Sequence, residues 1–184
     1  MRASGPLHRL VRRTIGRARR AARWEYWSPL PFYLPLAPAI AWQALRAGGA
    51  AVLTAANPAI EHGGLVGESK WELDALLRRG VAELLPATLL LPRSEPAADR
   101  IARAEAFVRE RGLGYPVVLK PDVGHRGLGV LVAREPAALR ARLERTQIDL
   151  LLQEYIGGTE YGVSYARRPG ARGRVTSICP KIPV

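Results

Sequence analysis

The chain has 184 residues, enough for one or two domains with a buried core, and its 48% hydrophobic and 24% charged residues exclude a disordered or fibrous protein. The net charge is +12, but eight arginines and no acids lie in residues 1–23, and without them it falls to +4. The basic character therefore belongs to a tail, and the single cysteine, Cys179, excludes an internal disulfide.

The N-terminal segment, residues 7–22, places apolar side chains at helical spacing and arginines on the other faces. Such a helix could lie on an anionic membrane surface or contact nucleic acid, and a solvated basic extension explains the pattern equally well. The following segment, Trp24–Leu45, is apolar but interrupted by prolines, and its longest run is shorter than the roughly 20 residues that span a bilayer. It is predicted to be buried or interfacial, so residues 1–45 are candidates for peripheral membrane contact. No signal peptide is evident, and the expected location is cytoplasmic.

The next elements are predicted from short local patterns. The apolar run Ala50–Thr54 predicts a strand. The glycine-containing loop Asn57–Lys70 suits either an anionic group at a helix N-terminus or a plain connection. Ser69 followed by Glu72 has the spacing of a capping box and predicts a helix that ends at Gly80.

The second half alternates strands and helices. A helix with Ser94 as its cap and Pro96 in its first turn is predicted between residues 94 and 112. Its inward stripe is predicted to contain Ala97, Ile101, Ala104 and Val108. A second helix is predicted at Glu135–Thr146, with Leu139 and Leu143 on its inward side. The predicted strands are Ala87–Pro92, Pro116–Lys120, Leu128–Ala133, Asp149–Tyr155, Glu160–Ala166 and Val175–Lys181.

The cations are strongly biased toward arginine. Of 28, only Lys70, Lys120 and Lys181 are lysines. Because a lysine ammonium is a compact charge on a flexible stem, each one is a candidate for point contact with phosphate. Compositional bias alone explains any single lysine equally well.

The stretch "YPVVLKPDVGHRGLGV" (Tyr115–Val130) combines Lys120 with a loop of three glycines. Glycines allow a sharply bent backbone whose N–H groups approach a ligand, so lysine and loop together suit a polyphosphate. The spacing does not match a P-loop, and the stretch does not open a helix as a dinucleotide fold requires. Taken alone, an ordinary hairpin explains it as well.

The downstream stretch "LLLQEYIGGTEYGVSY" (Leu150–Tyr165) has an apolar strand that ends in Gln-Glu-Tyr, a two-glycine turn and a glutamate on a new strand. Together with the lysine strand and glycine loop, it resembles the ATP-grasp family over Tyr115–Lys181. The front of the chain, with "TAANPAIEHGGLVGESK", is similar to ATP-grasp proteins related to D-alanine–D-alanine ligases. The resemblance implies an α/β (α+β) fold with mixed or antiparallel sheets and helices.

The resemblance also implies an ATP site. Lys120 would contact the α- and β-phosphates, and the loop Gly124–Gly129 would fold over the triphosphate. Glu160 would accept from the ribose hydroxyls, and Lys181 would be a second phosphate lysine. The residues that the resemblance assigns to nucleotide binding are Lys120, Gly124, Arg126, Gly127, Gly129, Gln153, Glu154, Tyr155, Ile156, Glu160 and Lys181, with Glu154 and the backbone at Tyr155–Ile156 at the adenine edge.

The resemblance departs from the family's pattern at the C-terminus. Family members carry acidic and asparagine Mg²⁺ ligands on strands beyond this point, so this chain is expected to lack them and to be inactive alone. A complete relative would be an ADP-forming ligase that joins a carboxylate to an amine through an acyl phosphate, with ATP and Mg²⁺ as cofactors. A second polypeptide or another copy of the chain could complete it.

The predicted division of the chain has four parts. They are a basic tail (1–23), a pre-ATP-grasp region (24–85), the small ATP-grasp subdomain (86–157) and the start of an incomplete C-terminal subdomain (158–184). The alternative function is a non-catalytic basic module that uses the N-terminal arginines on an anionic membrane or nucleic acid.

Overall fold

The computed structural model describes residues 29–55, 57–64, 67–125, 127–168 and 170–181. The chain divides into one compact unit that ends at residue 66 and a second that begins at residue 67. The predicted basic helix at residues 7–22 and the predicted loop residue Arg126 lie outside the described ranges. The contacts proposed for the tail therefore stay predictions.

The first unit is helical over its described residues. It contains α1 (Pro29–Tyr33), α2 (Ala37–Arg46) and α3 (Val52–Ala55), with 3₁₀ turns at Leu34–Leu36 and Glu61–Gly64. The strand predicted at Ala50–Thr54 is wrong, because α3 occupies most of it. A run of five apolar residues satisfies either geometry, so its periodicity does not distinguish the two.

The segment that precedes α3 has little core of its own. Among the described side chains of residues 30–46, only that of Ala44 is buried, so a buried segment is the wrong interpretation there. The interfacial alternative remains a prediction. No helix in the described ranges is long and apolar enough to cross a membrane.

The second unit follows the predicted alternation of strands and helices. Its helices are α4 (Lys70–Val81), α5 (Ala97–Glu110) and α6 (Pro136–Arg145), with a 3₁₀ turn at Ala82–Leu84. Its strands are β1 (Thr88–Leu91), β2 (Val117–Pro121), β3 (Leu131–Ala133), β4 (Leu150–Glu154), β5 (Tyr161–Ala166) and β6 (Arg174–Pro180).

Four of these strands form one sheet in the order β1-β4-β2-β3, and β5 pairs with β6 in a separate ribbon. Every pairing is antiparallel, including β2 with β3 across the glycine loop. The antiparallel sheet with helices against it confirms the predicted α+β class. The core that joins the sheet to α5 and α6 consists of Leu91, Ala104, Val108, Val117, Leu119, Ala133, Leu139, Leu143, Leu150 and Leu152.

Three local predictions differ in the structure, and the first is the strand predicted at Leu128–Ala133, which begins only at Leu131. Ser94 does not cap α5, because the helix begins at Ala97 and Pro96 occupies the cap position without a side-chain hydrogen bond. Proline holds the preceding residue in an extended conformation, which moves the helix start past Ser94. Ala97 is exposed, and the neighbouring Arg100 is buried in its place on the inward side.

Candidate functional site

The site lies on the face of the sheet opposite the α5–α6 core. Along β2 the alternate residues Val117 and Leu119 are fully buried in that core, so Lys120 belongs to the opposite face. On β4, Gln153 pairs directly with Val118 of β2 and Thr88 of β1, which places its side chain on the same face as Lys120. The strand register therefore brings two predicted nucleotide residues together.

A chain of hydrogen bonds runs across this face. The Lys120 ammonium donates to Oε1 of Gln153 at 2.8 Å, and the Gln153 amide donates to Oγ1 of Thr88 at 2.9 Å. Thr88 in turn donates to the carbonyl of Pro86 at 3.1 Å. Because Gln153 both accepts and donates, its amide is fixed in one orientation and holds the lysine head group in place.

The Lys120 ammonium is partly removed from water. Burial lowers its pKa below the usual lysine value, the positive charge of Lys70 lowers it further, and Asp74 acts in the opposite direction. Removing an ammonium from water without a partner costs free energy. An anion beside the partly buried Lys120 therefore interacts with it more favourably than with an exposed lysine.

The glycine loop lies beside this ammonium. A small cavity of about 40 Å³ has a lining that includes Lys70, Lys120, Gly124 and Gly127. The ammonium and the loop backbone thus border the same small space.

The last loop glycine has a steric requirement. Gly129 has a φ of +76°, and a Cβ atom at this position would lie 3.0 Å from Cγ of Pro121 and 3.3 Å from Nη2 of Arg142. Arg142 also donates to the Gly129 carbonyl at 2.8 Å. The chain therefore reverses tightly at Gly129 and is fixed to α6 there.

Lys70 is a site residue that the sequence-based assignment missed. It is the first residue of α4, after the Ser69 cap, and its ammonium donates to the carbonyls of Asp122 at 2.9 Å and Gly124 at 2.7 Å. The Asp122 carboxylate accepts from the backbone N–H of Trp71 at 2.8 Å. The rarity of lysine singles out Lys70, but nothing local to it predicts a contact more than 50 residues away.

A much larger open cleft adjoins the end of β4. Its volume is about 980 Å³. It brings together most of the predicted adenine, ribose and second-lysine residues. The lining residues are Pro86, Val118, Gln153, Glu154, Tyr155, Ile156, Gly157, Gly158, Thr159, Glu160 and Lys181.

Glu154 is anchored within the protein. Its Oε2 accepts from the backbone N–H of Ala87 at 3.1 Å, and its own N–H donates to the Ala87 carbonyl at 2.9 Å. The carboxylate therefore fastens the end of β4 to the start of β1. The exposed backbone at Tyr155 and Ile156 is the part of this segment that faces the cleft without such an anchor.

Glu160 and Lys181 form an ion pair at the far wall of the cleft. Both side chains are more than 60% exposed, and the Lys181 N–H also donates to the Glu160 carbonyl at 2.8 Å. An exposed ion pair of this kind contributes about 1 kcal/mol or less to stability, so a ligand can separate the two side chains at little cost in free energy.

The structure thus groups the predicted residues into two adjoining spaces. Lys120, Gly124 and Gly127 border the small cavity, whereas Gln153–Ile156, Glu160 and Lys181 border the large cleft. Gln153 connects them through its hydrogen bond to Lys120. The described residues contain no group of three or more His, Cys, Asp or Glu side chains that could hold a metal ion.

Comparison with known proteins identifies the class. Residues 73–162 match the family model of the RimK-like ATP-grasp domain. Among solved structures, the chain is similar to a D-alanine–D-alanine ligase from Helicobacter pylori, with 18% identity and a TM-score of 0.42. That alignment covers 60% of this chain and 32% of the ligase, so the chain spans about a third of its length. No curated protein matches the chain.

The lysine strand β2, the glycine loop after it and the end of β4 all lie within the matched region. The matched region, residues 73–162, covers just under half of the chain and supports an ATP-grasp assignment.

Proposed function

We propose that this chain binds ATP in the cleft at the end of β4, with the triphosphate directed toward Lys120 and the glycine loop. The observation that carries the proposal is the hydrogen bond from Lys120 to Gln153, because Gln153 also lines the 980 Å³ cleft. A ligand in the cleft therefore lies next to a partly buried ammonium. The cleft is large enough for a nucleotide, since ligand sites commonly occupy roughly 300–1,000 Å³.

Each predicted residue has a defined part in this proposal. The backbone at Tyr155 and Ile156 would hydrogen-bond the adenine edge, while Glu154 holds that backbone in position through Ala87. Glu160 would exchange its ion pair for the ribose hydroxyls, which frees Lys181 for a phosphate oxygen. Gln153 would keep the Lys120 ammonium aimed at the phosphates.

The reaction that this domain serves is proposed to be the joining of a carboxylate and an amine. ATP would supply the phosphoryl group that converts the carboxylate to an acyl phosphate, from which the amine displaces phosphate. The chain's own contribution is to orient the phosphates and exclude water by closing the glycine loop. The carboxylate, the amine and the Mg²⁺ ligands are not assigned to described residues. The division at residues 23, 85 and 157 is proposed to separate the tail, the pre-ATP-grasp region and the two ATP-grasp parts.

Calorimetric titration with ATP and with AMP tests the nucleotide site. Lys120→Met removes a hydrogen bond from a charged donor to a phosphate, worth about 1.5–3 kcal/mol, so ATP affinity should fall roughly 10- to 150-fold. AMP affinity should change by less than about threefold, because the α- and β-phosphate contact is absent or incomplete. Arg109→Met, at an exposed position on α5, is the matched control. An absence of heat with millimolar ATP, or equal losses for ATP and AMP, contradicts the proposal.

A further inference from the structure

Three charged side chains of α4 act on the site from one face of this helix. Lys70, Asp74 and Arg78 follow one another at intervals of four residues, so they lie in a row along the helix. Lys70 donates to two carbonyls of the glycine loop. Burial and the charge of Lys70 lower the pKa of Lys120, and the Asp74 carboxylate raises it, so Asp74 acts on the same ammonium.

Arg78 is the third member of this row and contacts the segment just before β1. Its guanidinium donates to both carboxylate oxygens of Asp74 and, through Nη2, to the Pro86 carbonyl at 2.6 Å. The Asp74 side chain is 11% exposed and the Arg78 side chain 33%, so the ion pair is partly sheltered from solvent. A hydrogen bond from a charged donor in such surroundings is strong, and it fixes the direction of the Pro86 carbonyl.

The Pro86 carbonyl also accepts a hydrogen bond from Thr88. The Thr88 hydroxyl donates to it at 3.1 Å and accepts from the Gln153 amide at 2.9 Å. Because a hydroxyl has one proton, its donation to Pro86 leaves the oxygen lone pairs for Gln153. Gln153 in turn accepts from the Lys120 ammonium at 2.8 Å. An unbroken series of hydrogen bonds, the Arg78 relay, therefore connects Arg78 to Lys120 through Pro86, Thr88 and Gln153.

The segment at residues 86–88 also holds the other end of the cleft. Ala87 donates its backbone N–H to the Glu154 carboxylate, and its carbonyl accepts from the Glu154 N–H. One short segment thus fastens β4 both at the residue that holds the phosphate lysine and at the residue beside the predicted adenine edge. Arg78 ties this segment to α4.

We propose that Arg78 is a positioning residue of the nucleotide site and aims the Lys120 ammonium at the phosphates through the Arg78 relay. The inference rests on the proposed ATP site and adds α4 to it, a helix to which the sequence assigns no nucleotide residue. Arg78 acts through other residues, since its guanidinium is occupied by Asp74 and Pro86. A purely structural role at the end of α4 would weaken ATP and AMP binding equally, whereas aiming Lys120 favours ATP, because AMP lacks the β-phosphate.

The first test removes the Thr88 hydroxyl from the relay. Thr88→Val keeps the size and the strand preference of the side chain but removes both of its hydrogen bonds. In calorimetric titrations of the full chain, ATP affinity should fall by about fivefold, as for one lost hydrogen bond, and AMP affinity by less than about twofold. Thr88→Ser keeps the hydroxyl and should bind ATP within about twofold of the parent chain.

The second test asks whether Arg78 acts through Thr88. Arg78→Met should lower the ratio of ATP affinity to AMP affinity by about threefold or more relative to Arg79→Met. Arg79→Met is the matched control, because it makes the same charge change at an exposed position of the same helix. In the Thr88→Val background, Arg78→Met should lower the ratio no further, since the relay is already broken.

Two results overturn the inference while the ATP site stands. One is a Thr88→Val chain that keeps the affinity ratio of the parent. The other is a double variant in which the losses of Arg78→Met and Thr88→Val multiply, because the two residues then act independently. A parent chain that gives no heat with ATP is a different failure, since it refutes the nucleotide site itself and this inference with it.

Discussion

The contacts of Lys70 predict how the glycine loop is held. Its ammonium donates to the Asp122 carbonyl in a partly buried environment and to the exposed Gly124 carbonyl. A hydrogen bond from a charged donor contributes about 1.5–3 kcal/mol when sheltered and about 1 kcal/mol or less when exposed to solvent. Lys70→Met should therefore destabilise the closed loop by about 2 kcal/mol, or roughly 30-fold in its opening equilibrium.

Amide hydrogen exchange measures this opening. The N–H groups of Leu128 and Val130 donate within the loop, to the carbonyls of His125 and Gly127, so their protection reports loop closure. Both should exchange up to about 30-fold faster in Lys70→Met, whereas the amide of Leu152 in the core should not change. Arg79→Met is the control, since Arg79 is an exposed cation of the same helix. Unchanged exchange at the two loop amides would refute the proposed tether.

The same variant has a predicted effect on pH dependence. The pKa of Lys120 is lowered first by burial and then by the charge of Lys70. A neutral lysine no longer attracts phosphate, so ATP affinity should fall as pH rises through this lowered pKa. Lys70→Met removes one of the two causes that lower the pKa of Lys120, so this pKa should rise. The loss of ATP affinity should therefore begin at a higher pH in the variant. Calorimetric titrations across the alkaline range measure it, and a shift to lower pH would show that the sign is wrong.

Two further predictions concern stability, and both are measured by urea unfolding. Ser69 accepts from the Glu72 N–H at the start of α4, so Ser69→Ala should lower the free energy of unfolding by about 1 kcal/mol. Ser94 does not cap a helix, so Ser94→Ala should change the free energy of unfolding by less than about 0.5 kcal/mol. Equal effects would remove the distinction. Leu152 is fully buried between the sheet and its helices, so Leu152→Ala should lower the free energy of unfolding by about 2–5 kcal/mol. Val132 is partly exposed, so Val132→Ala should lower it much less. A loss below about 1 kcal/mol for Leu152→Ala would contradict the assigned core.

Local patterns in the sequence predict most of the second unit. The helix cap at Ser69 is confirmed, and it is predictable because its hydrogen bond joins residues only three apart. The inward positions Leu139 and Leu143 of α6 are confirmed, since helical periodicity alone places them on one face. The juxtaposition of Lys120 with the glycine loop is also local, because one strand leads directly into the loop.

The remaining features depend on tertiary contacts. Arg100 is only 2% exposed, although arginine is ordinarily a surface residue, because its guanidinium donates to the carbonyls of Thr146 and Ile148. These carbonyls lie more than 45 residues away in sequence, so no window around Arg100 contains the reason for its burial. Lys70 escapes prediction in the same way, since its partners belong to the loop after β2.

The hydrogen bond between Lys120 and Gln153 has a consequence for tolerated changes in chain length. The two residues are 33 positions apart, yet their separation is determined by the ladder between β2 and β4. Extra residues in the connections before or after α6 would leave that ladder in register and the amide beside the ammonium. A one-residue deletion inside β4, by contrast, would turn Gln153 toward the leucine core and separate the pair.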